Sequence, residues 1–466
     1  MTNSVAGTAD GAPTGPAMGA GADVYDAAIV GASLAGCAAA IALGRAGLKV
    51  ALVDKRPEQG AYKKICSHYV QSSAIASLER LGLLEPMMQA GAVRSRVRLH
   101  TSWGWIEPPP GAEESASLVP SGVNLRRERL DPLIRCTASE TPGVELMLGQ
   151  AVEELIGDGE AVIGVKTRDP HGSHRTLRAK LVVGADGRGS QVAKLASVPA
   201  KLVPHGRFAY GRYYEGPAPK HAPDSLFWLL DPDMAAVFPT DSDLYFYAVM
   251  PAKERLGEFK QDPEKALADM VASLPDAPPI GASTPVGPIQ GKLDMTNVAH
   301  RPVAPGLALV GDAALAIDPL WGVGCGWALQ SSEWLTDSVI PALQGSESLS
   351  KGLARYRRRH RRGLAGHARM IYDYAGARKL TWFEKGLFAT AAQDDRVAQV
   401  FEAFGTRNIG PGEMLARTVP RVAYLSARRG LARRRPARRL RAAPASRDAG
   451  RAAAEPQSAS AEVEGA

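Results

Sequence analysis

Apolar positions in this chain fall into two kinds of run. Short unbroken runs suit strands buried on both faces, and longer runs rich in Ala and Leu suit helices. The first set is the clearest: Ala27–Val30 is apolar, Gly31–Gly36 is a small-residue turn, Leu34–Ala46 is a helix, and Lys49–Val53 is a second strand ending on Asp54. Gly47 stands where a helix C-terminus favours a left-handed residue. Further along, the pattern predicts a loop over Arg56–Gln71, a helix over Ser72–Leu84, a strand over Ala92–His100 and a hairpin or loop over Ser102–Gly111. A short strand at Val123–Leu125 runs into a helix at Arg129–Ser139. Val144–Leu148, Ala151–Ile156, Ala161–Thr167 and Arg175–Val183 alternate like strands of a small sheet. Phe208–Gly216, Ser225–Leu230, Ala235–Phe238 and Leu244–Met250 are strands, Asp262–Ser273 is an amphipathic helix, and Gly306–Val310 is another buried strand. Helices follow at Cys325–Leu343, Ser350–Ala375 and Glu384–Phe404.

The runs that suit a parallel sheet (Ala27–Val53, Leu181–Val183, Leu307–Val310) lie far apart. The α/β domain they share is therefore discontinuous and Rossmann-like, with an antiparallel-sheet domain inserted and helices at the C-terminus. The expected division is a disordered leader at 1–22; the α/β domain at 23–90, 121–200 and 296–345; and the inserted antiparallel-sheet domain at 91–120 and 201–295. A helical region at 346–426 and a disordered basic tail at 427–466 complete it.

Composition changes this picture in a few places. The chain has 466 residues, 45% of them hydrophobic, as in a globular protein with substantial cores. Its net charge of +8 suggests a polyanion partner, but from Arg428 onward ten arginines and four acids contribute +6 of it. The remainder is near neutral, which excludes a nucleic-acid-binding reading of the folded part. Cys37, Cys66, Cys136 and Cys325 form no CxxC pair and suggest no metal site. Such sparse cysteines fit a reducing, cytoplasmic location. The Ala/Gly-rich leader lacks the layout of a signal peptide, and Gly306–Leu329 carries Asp312 and Asp318, so no membrane span is expected.

The first strand–turn–helix–strand has the chemistry of a dinucleotide site. Gly31 permits the sharp turn, Gly36 permits close packing, and the first-turn amides around Ser33, Leu34 and Ala35 point at a pyrophosphate favoured by the helix dipole. Asp54 is spaced to bind a ribose hydroxyl. Ser33 stands where the fingerprint has its second glycine.

Two further strand-to-turn signals come later, in order: Gly184-Ala185-Asp186-Gly187 and the stretch GDAALAIDPLWGVGCG at Gly311–Gly326. Together the three resemble FAD-dependent oxidoreductases of the para-hydroxybenzoate hydroxylase type, the group A flavoprotein monooxygenases. Geranylgeranyl reductases and flavin-dependent halogenases share that scaffold, and the resemblance covers about Val24–Leu343. It implies that the Ser33–Gly36 amides bind the FAD pyrophosphate, that Asp54 with Lys55 lies at the adenosine ribose, and that Arg127 contacts the flavin side. Asp186 would lie near the pyrophosphate. Gly311-Asp312 would reach the ribityl chain, and the loop carrying Pro319, Gly322, Gly324, Cys325 and Gly326 would pass along the isoalloxazine.

Three reactions stay open on this scaffold. Hydroxylation of an aromatic or polyketide-like molecule through a flavin C4a-hydroperoxide is the leading expectation, with NAD(P)H as electron donor and molecular oxygen as co-substrate. The second is reduction of isoprenoid-type double bonds. Asp318-Pro319 and Lys64-Ile65-Cys66 point that way, although Ser67-His68-Tyr69 replaces the glycines expected next. The third is halogenation, whose Trp-x-Trp-x-Ile-Pro marker is only partly matched by Trp103-Gly104-Trp105-Ile106-Glu107-Pro108, too early in the chain. No catalytic residue is fixed by the sequence; His68 and Lys64 are the candidates. A separate flavin reductase or a carrier protein is a conceivable partner, and a flavin-binding protein without turnover is the reading from another class.

Overall fold

The structure is a computed structural model that describes residues 23–107 and 119–434. The leader, the end of the Ser102–Gly111 loop and the tail from 435 onward lie outside the described residues. The chain divides after Val422. Up to that residue it is one compact unit, and the described part of the second unit is helical to Arg434.

The centre is a parallel sheet in the order Leu307–Leu309, His174–Gly184, Asp23–Val30, Val50–Asp54, Val144–Leu148. Ala27 stands opposite both Leu181 and Val50. The unbroken apolar runs form these strands because helices cover one face. Leu34–Arg45 and Gly324–Leu343 bury Cys37, Ile41, Leu329 and Leu335 against Ile29, Leu52 and Val183. The other face carries the N-terminal half of His174–Gly184 outward into an antiparallel meander with Val162–Arg168 and Ala151–Gly157. This is the expected α/β class. Val144–Leu148, expected in the meander, instead closes the parallel edge beside Val50–Asp54. Val144 and Leu146 pack on the helix-covered face and Met147 on the opposite one, and the exposed Glu145 between them gives the run its polar break.

The inserted sheet has seven strands, ordered Thr284–Lys292, Ala209–Glu215, Leu244–Met250, Met234–Pro239, Ser225–Leu229, Val97–Thr101, Gly104–Ile106. Alternation divides its side chains between two faces. Tyr214, Trp228, Val237 and Tyr247 pack under Pro263–Ala272, whose Asp262 cap accepts from the Lys265 amide. Leu99, Phe227, Phe238 and Phe246 face the other way, toward Trp321 and the helices Trp382–Ala391 and Asp395–Gly405.

The strand Thr284–Lys292 was not expected, the helix expected over Ser72–Leu84 breaks after Arg80, and three further elements differ from expectation. Ala92–His100 breaks at Arg96 into Val93–Ser95 and Val97–Thr101, which join different sheets. Glu384–Phe404 is two helices, because the Asp394 side chain caps a new one at the Val397 amide. The helix Pro411–Arg434 continues beyond Ala427, where the tail was expected to be unstructured. Ala, Leu and Arg are strong helix formers, and arginine content alone does not oppose a helix.

Candidate functional site

The glycine turn is built by close approach. Gly31 has φ +108°, and a Cβ on it would lie 2.5 Å from the Ala185 carbonyl oxygen. A Cβ on Gly36 would lie 1.8 Å from the Gly31 oxygen. The helix Leu34–Arg45 starts behind Ser33, which gives no side-chain cap, and its first turn holds no acid. Its leading amides and dipole are therefore open to an anion. Arg127 reaches the same place: its Nη2 donates to Ser33 Oγ at 2.8 Å, while Asp131 holds the guanidinium at 2.6 Å. The wholly buried Arg135 fastens the turn from behind, donating to the carbonyls of Ala32, Gln59 and Ala61.

Asp54 is not free for a ribose in this arrangement. Its oxygens accept from the Ala32 amide at 2.8 Å and from the amide, Nε and Nη2 of Arg56 at 2.9, 2.9 and 2.7 Å. Four donors fill the positions a carboxylate offers. Burial disfavours its charge, but the Arg56 bonds outweigh this and hold its pKa below the usual carboxylate value. Lys55 is exposed. Asp186 is likewise engaged locally, accepting from Ser190 Oγ and the amides of Gln191 and Val192 as a helix cap.

Asp312 follows Gly311, which has φ +56°. Its carboxylate meets Lys63 Nζ at 3.1 Å, so the residue paired here is Lys63, while Lys64 lies exposed. The Asp312 charge raises the Lys63 pKa. Burial opposes the charge on Asp312, yet Lys63 and then Arg188 keep its pKa lowered. Gly322, at φ +61°, passes against Tyr69. Gly324, Cys325 and Gly326 open the helix Gly324–Leu343, whose N-terminus also lacks a side-chain cap or an acid. Cys325 Sγ lies 3.7 Å from Cys66 Sγ.

His68 sits between these parts and the inserted sheet. It is wholly buried with φ +63°, a left-handed conformation that strains a residue other than glycine. Its Nδ1 accepts from the Arg127 amide at 3.1 Å, so the ring proton is on Nε2, which donates to Tyr213 Oη at 2.5 Å. Burial pushes the His68 pKa down to about 4 and raises that of Tyr213, so the imidazole is neutral and the phenol keeps its proton. Phe246 packs against both rings, in space that Gly211 leaves open. Farther along this face an apolar cleft lies between Leu99, Ile106, Phe227, Trp321 and Phe401. Gln71 Nε2 donates to the carbonyls of Trp321 and Gly405, joining the glycine loop to the end of the helix Asp395–Gly405.

The structure thus gathers Ser33, Arg127, Asp312, Lys63, Cys325 and His68 along one seam between the sheets, and leaves Lys55 and Lys64 outside it. Tyr213, Arg56 and Arg135 carry no motif that marks them, and Trp321 lies within the glycine stretch without being singled out by it. Tyr213 shows only as one of the aromatics in a strand that alternates. The set fits a dinucleotide: two uncapped helix N-termini and an anchored arginine suit its phosphates, and turns too tight for a Cβ bring backbone donors close. Among the described residues, no group of three His, Cys, Asp or Glu side chains is placed to hold a metal, and no helix is long and apolar enough to cross a membrane.

A discontinuous Rossmann-like sheet with this seam and an inserted antiparallel sheet defines an FAD-dependent oxidoreductase. The chain belongs to the family described as the FAD binding domain, which matches residues 24–367. It is 26% identical over 349 residues to digeranylgeranylglycerophospholipid reductase 1 of Methanopyrus kandleri, covering 72% of this chain and 85% of that one. It is 27% identical over 353 residues to the ubiquinone hydroxylase UbiL of Rhodospirillum rubrum, covering 71% and 75%. In fold it is similar to the flavin-dependent brominase Bmp2, with a TM-score of 0.71, 20% identity, and 87% and 100% of the two chains covered.

Proposed function

We propose that this flavoprotein is a monooxygenase that hydroxylates an apolar small molecule bearing a phenolic or enolic oxygen, held at Tyr213. The observation that carries the reading is the Tyr213–His68 pair, set into the apolar inner face of the inserted sheet. His68 donates from Nε2, so the Tyr213 hydroxyl is left to donate to a substrate oxygen. That bond strengthens as the oxygen takes on negative charge, and it favours the electron-rich phenolate or enolate form that hydroxylation needs. Leu99, Phe227, Phe246 and Trp321 bury the carbon skeleton and exclude water.

In this reading the amides after Ser33, with Arg127, hold the FAD pyrophosphate. Asp312 and Lys63 meet the ribityl chain, and the backbone from Gly322 to Gly326 lies along the ring. Bound FAD supplies the redox chemistry, taking two electrons from a nicotinamide and passing them on.

A second reading, reduction of a prenyl double bond, is favoured by the digeranylgeranylglycerophospholipid reductase relatives and by Cys66 in the glycine-loop seam. Asp318-Pro319 does not support it. Asp318 is buried and accepts a hydrogen bond from His205 Nε2 at 2.5 Å, which gives it a structural role. The test is to reduce the holoenzyme with NAD(P)H without oxygen, add phenolic, polyketide and prenyl compounds, and then admit labelled oxygen. Product that appears only with oxygen and carries the label supports the monooxygenase. A saturated product formed before oxygen is admitted overturns it in favour of the reductase.

A further inference from the structure

We propose that Cys66 and Cys325 are a peroxide-oxidised cysteine pair, whose disulfide clasps the loop after Asp54 to the first turn of the helix Gly324–Leu343. The two thiols lie far apart in sequence, yet their sulfurs are 3.7 Å apart, in van der Waals contact. A disulfide needs about 2.05 Å, and Lys63, Lys64 and Ile65, the residues before Cys66, are exposed and lie in neither helix nor strand.

The two sulfurs are unequal. Cys66 Sγ is in contact with Cys325 Sγ and accepts from the His68 amide at 3.3 Å and from Arg127 Nη1 at 3.9 Å. The Cys325 thiol first, then the positive charge of Arg127 and Lys63, hold Cys66 well below the ordinary thiol pKa. Its hydrogen bond to Cys66, and then burial, push Cys325 well above it. Cys66 is also the partly exposed member, whereas Cys325 is buried. Thiolate character and access on one residue, with a second thiol in contact, make an attacking and a resolving cysteine. The other cysteines do not compete. Burial pushes up the Cys37 thiol, and the Glu140 carboxylate pushes up that of the exposed Cys136.

The oxidant is hydrogen peroxide. The Cys66 thiolate attacks one peroxide oxygen, the O–O bond breaks, and with one proton taken up the products are the sulfenic acid and water. Cys325 sulfur then attacks Cys66 sulfur, the S–O bond breaks, and the Cys325 proton leaves with the hydroxyl as a second water. Two thiols lose two electrons in total and one peroxide gains them. The inference stands on the thiol geometry and holds for either reading of the flavin chemistry.

The test treats the wild-type holoenzyme with a few equivalents of hydrogen peroxide, then unfolds it, alkylates it and digests it. The expected result is a fall from four free thiols to two, a linked Cys66–Cys325 peptide pair, and recovery of all four with dithiothreitol. In Cys325→Ser the sulfenic acid on Cys66 should instead be trapped by dimedone. The inference is overturned if all four thiols survive, if Cys66 goes to sulfinic acid unlinked, or if the disulfide found contains Cys136. The wild-type peptide map decides the matter even where Cys325→Ser fails to fold.

Discussion

Single positions in this site are constrained by distances too short for any alternative. Gly36→Val would place a Cβ 1.8 Å from the Gly31 oxygen, and Gly31→Ala would force both a 2.5 Å contact and an unfavourable φ. Both variants are expected to purify colourless, read as loss of flavin absorbance. Full flavin occupancy in either would refute the placement of the pyrophosphate. Tyr213→Phe keeps the ring and removes the hydroxyl. It is expected to lower kcat about 100-fold, in the range of a positioned proton or hydrogen-bond donor, with flavin reduction by NAD(P)H unchanged in stopped-flow traces. An unchanged kcat would remove Tyr213 from the mechanism. The two glycines were legible in the sequence because their role is local: a strand, a turn and a helix within one short stretch. Tyr213 was not, because its partner His68 is brought to it by the meeting of two sheets.

Whole elements are tied together by a buried ionic group that sequence patterns did not reveal. Asp318 accepts from His205 Nε2, and Arg207 stands 3.9 Å away, all three side chains without solvent exposure. Arg207 also donates to the carbonyls of Pro232 and Tyr374 and lies 4.5 Å over the Tyr374 ring. One carboxylate thus links the glycine loop, the inserted sheet and the helix Leu349–Ala375. Asp318→Asn removes its charge and leaves Arg207 buried without that compensation, a change that typically costs about 3–5 kcal/mol. Urea unfolding should show a loss of that size, and one below about 1 kcal/mol would mean the charge on Asp318 is not what holds the elements. In the sequence, Asp318-Pro319 looked like a reaction marker. Apolar period and turn chemistry located the central parallel strands and most of the inserted sheet, but not its edge strand Thr284–Lys292, whose residues are mostly polar, Gly or Pro; the choice of sheet for Val144–Leu148 and Val97–Thr101 depends on tertiary pairing.

The compact unit as a whole carries an acid-sensitive weakness. His68, His360 and His367 lie inside it at separate places, and burial is the first cause holding each pKa down to about 4. Unfolded, each returns to about 6.5 and binds a proton that the native state refuses. Between those values the unfolded chain holds more protons, so stability is full above about 6.5 and falls as pH drops toward 4. Each histidine contributes up to roughly 3 kcal/mol of that loss, against a total stability of about 5–15 kcal/mol. The carboxylates Asp54, Asp241 and Asp312 have lowered pKa values, each charge stabilised against burial by a basic partner. Their contribution is present above the ordinary carboxylate value near 3.8 and is lost only below it, so acid unfolding should come in two stages with the histidine stage first. Urea midpoints at neutral and mildly acidic pH separate the stages. His68→Asn accepts the same positive φ and His367→Phe keeps the stack on Phe404, so each variant should flatten the first stage without moving the second. A wild-type midpoint that stays constant down to the carboxylate range would mean that these imidazoles reach solvent and protonate before the fold opens.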